Sequence, residues 1–283
     1  MLYWRTDLLD GPPRSLEELA STAAAAQARA GLPYGFVWQG ARYEGLVCVF
    51  LEHLGCFGGR ILDDRGRVQV DSPAALAALR FMTRSIRETR IVPEAVLTWQ
   101  EEQTRFAFQN GDAVYMRNWP YAYPLMADSS ESAVAGKFAI APMPPAANGA
   151  PTAALGGSLL AINAQSKHPE AAYAVIEYLT RPEQMRERAE VAGQYPTRRE
   201  LYYDGSLTDL LPIPPEQVRT VIENAVPRPS TPVYTELSSL LQIRLHRALS
   251  GQVKPAVALA NAAADLRRLL HEPALGASPG GSP

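Results

Sequence analysis

Apolar residues recur at helical spacing along most of this chain, and short apolar runs bounded by turn residues interrupt them. Between Tyr43 and Leu54, the residues Leu46, Val49, Phe50 and Leu54 share one helical face, and Gly55 with Gly58-Gly59 ends the pattern. Ser15-Leu16-Glu17-Glu18 is a capping box that opens an alanine-rich helix to Ala30, stopped by Gly31. Asp71-Ser72-Pro73 opens a helix reaching about Thr89, and Thr98-Trp99-Gln100-Glu101 caps another that ends near Asn110-Gly111. Further helices are predicted over 168–179, 182–191, 215–224, 234–249 and 254–270. Strands are predicted at 34–39, 113–116, 138–143 and 159–162, and ILDDRGRVQV reads as a small hairpin around Asp64-Arg65-Gly66. Strands alternating with longer helices make an α/β fold dominated by helix. The stretch PPAANGAPTAA reads as a segment passing between two lobes, and from Glu272 onward the Pro/Gly/Ser-rich tail is expected to be disordered.

One stretch does not fit simple packing. In AVYMRNWPYAYP, an apolar strand from Ala113 to Met116 leads into Arg117, Asn118, Trp119, Tyr121 and Tyr123 around Pro120. Rings gathered in a surface loop are either the lid of a core or the floor of a pocket. Sugars present apolar C–H faces rimmed by hydroxyls, so flat rings beside charged and amide side chains suit them. Arg117 and Asn118 would supply such donors next to the rings.

Composition narrows the classes. The chain has 283 residues, 47% hydrophobic and 20% charged, which suits a folded protein with a sizeable core. Its 27 basic and 29 acidic residues leave a net charge of -2 without a run of one sign, so nucleic acid is not an expected partner. No apolar stretch approaches the roughly 18 residues that span a bilayer, and no export signal is legible at Met1. Cys48 and Cys56 would lie about 12 Å apart by axial rise on one continuous helix, too far to bond, unless a turn at Gly55 brings them together. His53, His168, His246 and His271 are scattered singly, so neither a metal nor a cofactor is expected. No catalytic constellation emerges. Ser158 in LGGSLLA lacks the nucleophile-elbow pattern, and the carboxylates of Asp63-Asp64 and Glu101-Glu102 point about 100° apart on a helix, which suits solvated faces.

Several segments in order resemble the extracellular solute-binding proteins of carbohydrate ABC transporters, in their trehalose/maltose-binding branch. They are LYWRTDLLD, SLEELA, GFVWQGARYEGLVCVFLEHLGCFGG, FQNGDAVYMRNWPYAY, FAIAPMP, ALGGSLLAIN, AAYAVIEYLT and AVPRPSTPVYTEL. The resemblance implies a helix-rich, two-lobed periplasmic-binding-protein-like fold whose lobes close on a sugar and present it to a membrane permease. Residues 1–143 and 198–272 would form the C-terminal lobe, 144–197 the hinge crossing and part of the N-terminal lobe, and 273–283 a disordered tail. Trp119 and Tyr121 would stack on sugar rings, Gly156 and Gly157 would let the backbone approach the ligand, and Arg228 would hydrogen-bond hydroxyls. Tyr43 and Glu44 are further candidates, with the start of a helix as their other reading. Ser158 stands where relatives often carry Trp, which bears on ligand choice. Members of this family begin well upstream of LYWRTDLL, with a leader and the first elements of the N-terminal lobe. The lobe is therefore expected to be incomplete here, with Met1 an internal start or the gene broken, and with export encoded upstream. The expected protein is a non-enzymatic, monomeric, periplasmic or extracytoplasmic receptor for a disaccharide or oligosaccharide such as trehalose or maltose. A cytoplasmic interaction module and a glycoside-processing enzyme are the rival readings.

Overall fold

The computed structural model describes residues 1–147, 149–208, 210–211 and 214–271. Its elements are β1 (Leu2–Arg5), α1 (Leu16–Ala30), β2 (Tyr34–Val37), α2 (Glu44–Cys56), α3 (Pro73–Arg87), α4 (Glu101–Gln109), β3 (Ala113–Arg117), α5 (Ala122–Ala127), β4 (Phe138–Ala141), β5 (Ala153–Ala154), α6 (Pro169–Leu179), α7 (Pro182–Ala192), α8 (Pro215–Glu223), β6 (Ala225–Val226), α9 (Tyr234–Leu249) and α10 (Pro255–Leu269). The helix-dominated α/β reading holds. None of the described helices is long and apolar enough to cross a membrane.

Four strands make one sheet in the order β2-β3-β1-β4, with β2 parallel to β3 and β1 antiparallel to both of its neighbours. Alternate residues of each strand face opposite sides. Leu2, Trp4 and Tyr115 pack into a core with α1, α2, α3, α9 and α10, while Tyr3, Met116 and Phe138 pack into a second core with Phe108, Met126, Met185 and Val218. Covering on both faces explains why every residue of β1 and β3 is buried, Arg5 and Arg117 at their ends included. The two-residue strands β5 and β6 form a separate parallel pair.

Local signals explain most helix ends. The Ser15 hydroxyl accepts from the Glu18 amide, and Gly31 closes α1 at φ 65°, a left-handed conformation that an unbranched Cα adopts without penalty. Ser72 caps α3, with Pro73 in its first turn. The cap of α4 lies later than predicted: Gln100 and Gln103 bond reciprocally across the first turn, and Thr98 instead ends a short 3-10 turn.

Two readings change, while the cysteines stay apart as a continuous helix requires. The predicted strand at 159–162 has no regular structure, and Leu159 is 98% exposed, because no described strand lies alongside to complete a ladder. Arg117 is the last residue of β3, and both it and Asn118 are fully buried. Helix α2 continues past Gly55 to Cys56, so the turn that could have joined the cysteines does not form; both are buried and free. The expected tail from Glu272 onward lies outside the described residues. His53 sits in the core, with its Nδ1 2.8 Å from the Val49 carbonyl, one turn back along α2.

Arg117 is held by a carboxylate of α2. Its Nε and Nη2 each lie 2.6 Å from an oxygen of Glu52, and Nη1 donates to Gln39 Oε1 at 3.0 Å. Glu52 Oε1 also accepts from the Ala154 amide at 3.0 Å, which ties β3, α2 and β5 together. Burial, the largest influence on the Glu52 carboxyl, would raise its pKa, but the charge and hydrogen bonds of Arg117, with one hydrogen bond from the Ala154 amide, hold it below the ordinary range.

Glu52→Ala leaves a buried guanidinium unpaired and is expected to cost about 3–5 kcal/mol in urea denaturation at neutral pH. Pairing Glu52→Leu with Arg117→Met should recover most of that loss. The Glu52 contribution is complete above the ordinary carboxylate range and is lost as pH falls through its depressed pKa. Acidification should therefore lower wild-type stability more steeply than that of Glu52→Gln.

Candidate ligand-binding site

The end of β3, the first turn of α4 and the chain leaving β5 meet around Trp119, and the chain leaving β6 meets the start of α2. Arg117 forms the base, with its guanidinium carbon 4.2 Å from the centre of the half-buried Trp119 ring. Asn118 fixes the next step of the backbone. Its Oδ1 accepts from the Trp119 amide at 2.8 Å, and its Nδ2 donates to the Glu101 carbonyl at 3.1 Å. Neither Arg117 nor Asn118 has a donor facing outward, which overturns the expectation that they present donors beside the rings. A charge next to aromatics looks the same in sequence whether it faces water or supports the rings from behind.

Two consecutive carboxylates hold the two rings. Trp119 Nε1 donates to Glu101 Oε1 at 3.2 Å, and the Tyr121 hydroxyl donates to Glu102 Oε1 at 2.6 Å. Glu102 is in turn gripped by Arg105 at 2.5 Å. The Arg105 hydrogen bond is the main reason the Glu102 carboxyl titrates below its ordinary range. Burial, then the neighbouring Glu102, pushes the Tyr121 hydroxyl well above the usual tyrosine range. Tyr123 turns away from these two and lies 4.9 Å from Phe138 in the second core.

Gly156 lies against the edge of Trp119, where a Cβ would come 2.8 Å from ring carbon Cζ3. Gly157 adopts φ 144° with nothing within 4 Å of a Cβ position. The missing side chain of Gly156 is thus needed for packing against the indole, and that of Gly157 for backbone conformation.

Arg228 stands two residues beyond β6, as Gly156 stands two beyond β5, so the two follow paired strands. Arg228 Nη1 donates to Glu44 Oε1 at 3.1 Å. Glu44 also accepts from the Tyr234 hydroxyl at 2.5 Å and from Ser238 Oγ, both on α9. With three donors on one carboxylate, Glu44 acts as the anchor of Arg228 from its place at the start of α2. Tyr43, the residue before α2, has a buried hydroxyl beside the Glu101 carboxylate. Burial, then the nearby Glu101 carboxylate, raises its pKa.

All seven residues singled out in sequence, Tyr43, Glu44, Trp119, Tyr121, Gly156, Gly157 and Arg228, thus belong to adjoining elements. Glu101 and Glu102 were read as solvated and instead hold the rings. Glu52, Gln39, Tyr234 and Ser238 were missed. For Glu52 a signal existed: a carboxylate inside the apolar run of VCVFLEHL invites a buried cation. Among the described residues no group of His, Cys, Asp and Glu could hold a metal ion.

The model of one family, bacterial extracellular solute-binding protein, matches residues 1–210. The chain is 37% identical to the "Probable ABC transporter-binding protein" of Deinococcus radiodurans, over 95% of this chain and 66% of that one. Among solved structures, maltose-bound MalE3 of T. maritima matches with a TM-score of 0.90 and 45% identity, over 95% of this chain and 70% of that one. An ABC transporter solute-binding protein of Thermotoga lettingae, bound with α-D-tagatose, matches at 0.84 and 26%, over 95% and 70%. The chain spans 66% of the length of the D. radiodurans relative.

Gly156→Ala should push the Trp119 ring aside, costing about 1–3 kcal/mol of stability and shifting the Trp119 emission. Gly157→Ala should cost about 1 kcal/mol or more through backbone strain yet leave that emission unchanged. Denaturation curves and fluorescence, each read against a Trp119→Phe reference, separate the two effects.

Proposed function

Because the chain belongs to the bacterial extracellular solute-binding protein family, we propose that it is the substrate-binding component of an ABC sugar importer. It holds a disaccharide such as maltose or trehalose and passes it unaltered to a membrane permease. The observation that carries this reading is the Trp119 indole, backed by the buried Arg117 guanidinium and bordered by Gly156. One ring face is occupied from within, and a sugar ring would stack on the other. Tyr121 continues the aromatic surface, and Arg228 adds a donor at its margin. The maltose in the 45% identical structure supports a sugar of that size. Tagatose in the second protein indicates that related sites take other sugars.

The described body would be one wall of the cleft, with β5 and β6 as crossing strands. Between them the chain departs from the body. Leu155, Leu159, Leu160, Tyr173, Val175 and Tyr178 are exposed and α6 buries nothing, whereas Met185 and Ala189 of α7 rejoin the second core. Residues 155–180 would thus belong to a second lobe. Glu101 and Glu102 are each engaged by a ring, which favours a receptor over an enzyme that needs two carboxylates across one bond. The receptor would act as a monomer outside the cytoplasm.

Calorimetric titration of the chain with maltose and with trehalose tests the reading. Binding of at least one, weakened by about 1–3 kcal/mol in Trp119→Ala, is expected. Unchanged affinity in that variant would move the site elsewhere, and no heat from any sugar would end the sugar-receptor reading.

A further inference from the structure

Resting on that sugar-binding reading, we propose that Glu101 and Glu102 are positioning residues that preset the planes of Trp119 and Tyr121 before ligand arrives. Successive side chains on a helix diverge by about 100°. Successive carboxylates at the start of α4 can therefore reach two rings that stand on either side of Pro120, and here they do so through one hydrogen bond each.

The first turn of α4 is itself braced. Gln100 and Gln103 bond across it, and Asn118 Nδ2 holds the Glu101 carbonyl, so the carboxylates and the ring-bearing loop are tied at the backbone as well. Acidic side chains are favoured at a helix N-terminus, which suits two carboxylates in the first turn of α4. Arg105 adds a cation for Glu102 alone, three residues along the helix. An indole N–H or a phenol bonded to a carboxylate has lost its ring-flip and tilt freedom, so ordering of the rings no longer opposes binding. Two preset rings match a ligand with two sugar units, whereas a monosaccharide uses only one of them.

The first readout needs no sugar. In 15N-labelled protein, the Trp119 Nε1–H resonance is the one missing from Trp119→Phe. It should shift in Glu101→Ala and Glu101→Gln and stay in place in Glu102→Ala. The second readout is affinity for maltose, expected to fall about tenfold in Glu101→Ala, the scale of one hydrogen bond to a charged group. Glu101→Gln, whose amide oxygen still accepts from the indole, should restore most of that loss. Glu102→Ala should weaken maltose more than glucose.

A resonance unmoved by Glu101→Ala overturns the proposal whether or not any sugar binds. A resonance that moves while maltose affinity stays within twofold of wild type overturns it too. Wild-type protein that binds no sugar at all, with the resonance shifting as described, instead refutes the receptor reading and leaves Glu101 as a mere structural partner of the ring.

Discussion

The Glu52–Arg117 pair organises the molecule. Both side chains are essentially without solvent contact, and a charge so placed is tolerable only when its partners saturate it. Arg117 meets that condition with Glu52 from α2 and Gln39 from beyond β2, while the Gln39 amide returns a hydrogen bond to the Arg117 carbonyl. Glu52 meets it with Arg117 and the Ala154 amide. The sheet, the helix packed on it and β5 are thereby locked in one register. Any slip among them would strand a charge in the core.

The site is built outward from that lock. Trp119 follows Arg117 by two residues and rests on its guanidinium, and Gly156 follows Ala154 by two and lies against the ring edge. A second carboxylate of α2, Glu44, stands two turns before Glu52 on the same face and gathers Arg228, Tyr234 and Ser238. One helix therefore sets the ring-bearing loop through Glu52 and the margin of the site through Glu44. Cys48 lies between the two carboxylates, and burial raises its thiol to about 11, so it is a packing residue rather than a reactive one.

Much of this was legible in the chain. The caps at Ser15 and Ser72, the apolar face of α2 and the runs of β2, β3 and β4 are local patterns that survive folding because tertiary packing reinforces them, whereas β1 was not read as a strand. The sites of failure share a cause. Leu159 to Ile162 has the composition of a strand, yet a strand exists only through a neighbour, and none is present among the described residues. Arg117, Asn118, Glu101 and Glu102 each have a partner on another element, Glu52 lying 65 positions from Arg117.

The sequence by itself determined the periodicities, the helix ends and the loop that gathers Trp119 and Tyr121 around Pro120, since these depend on residues within a turn or two of one another. Ordered motifs along it also sufficed to identify the family. Only the tertiary structure decided which polar residues face inward to support the rings and which stay at the surface. That division depends on burial and on pairing across distant elements, and a buried charge differs from an exposed one only in what the rest of the chain places around it.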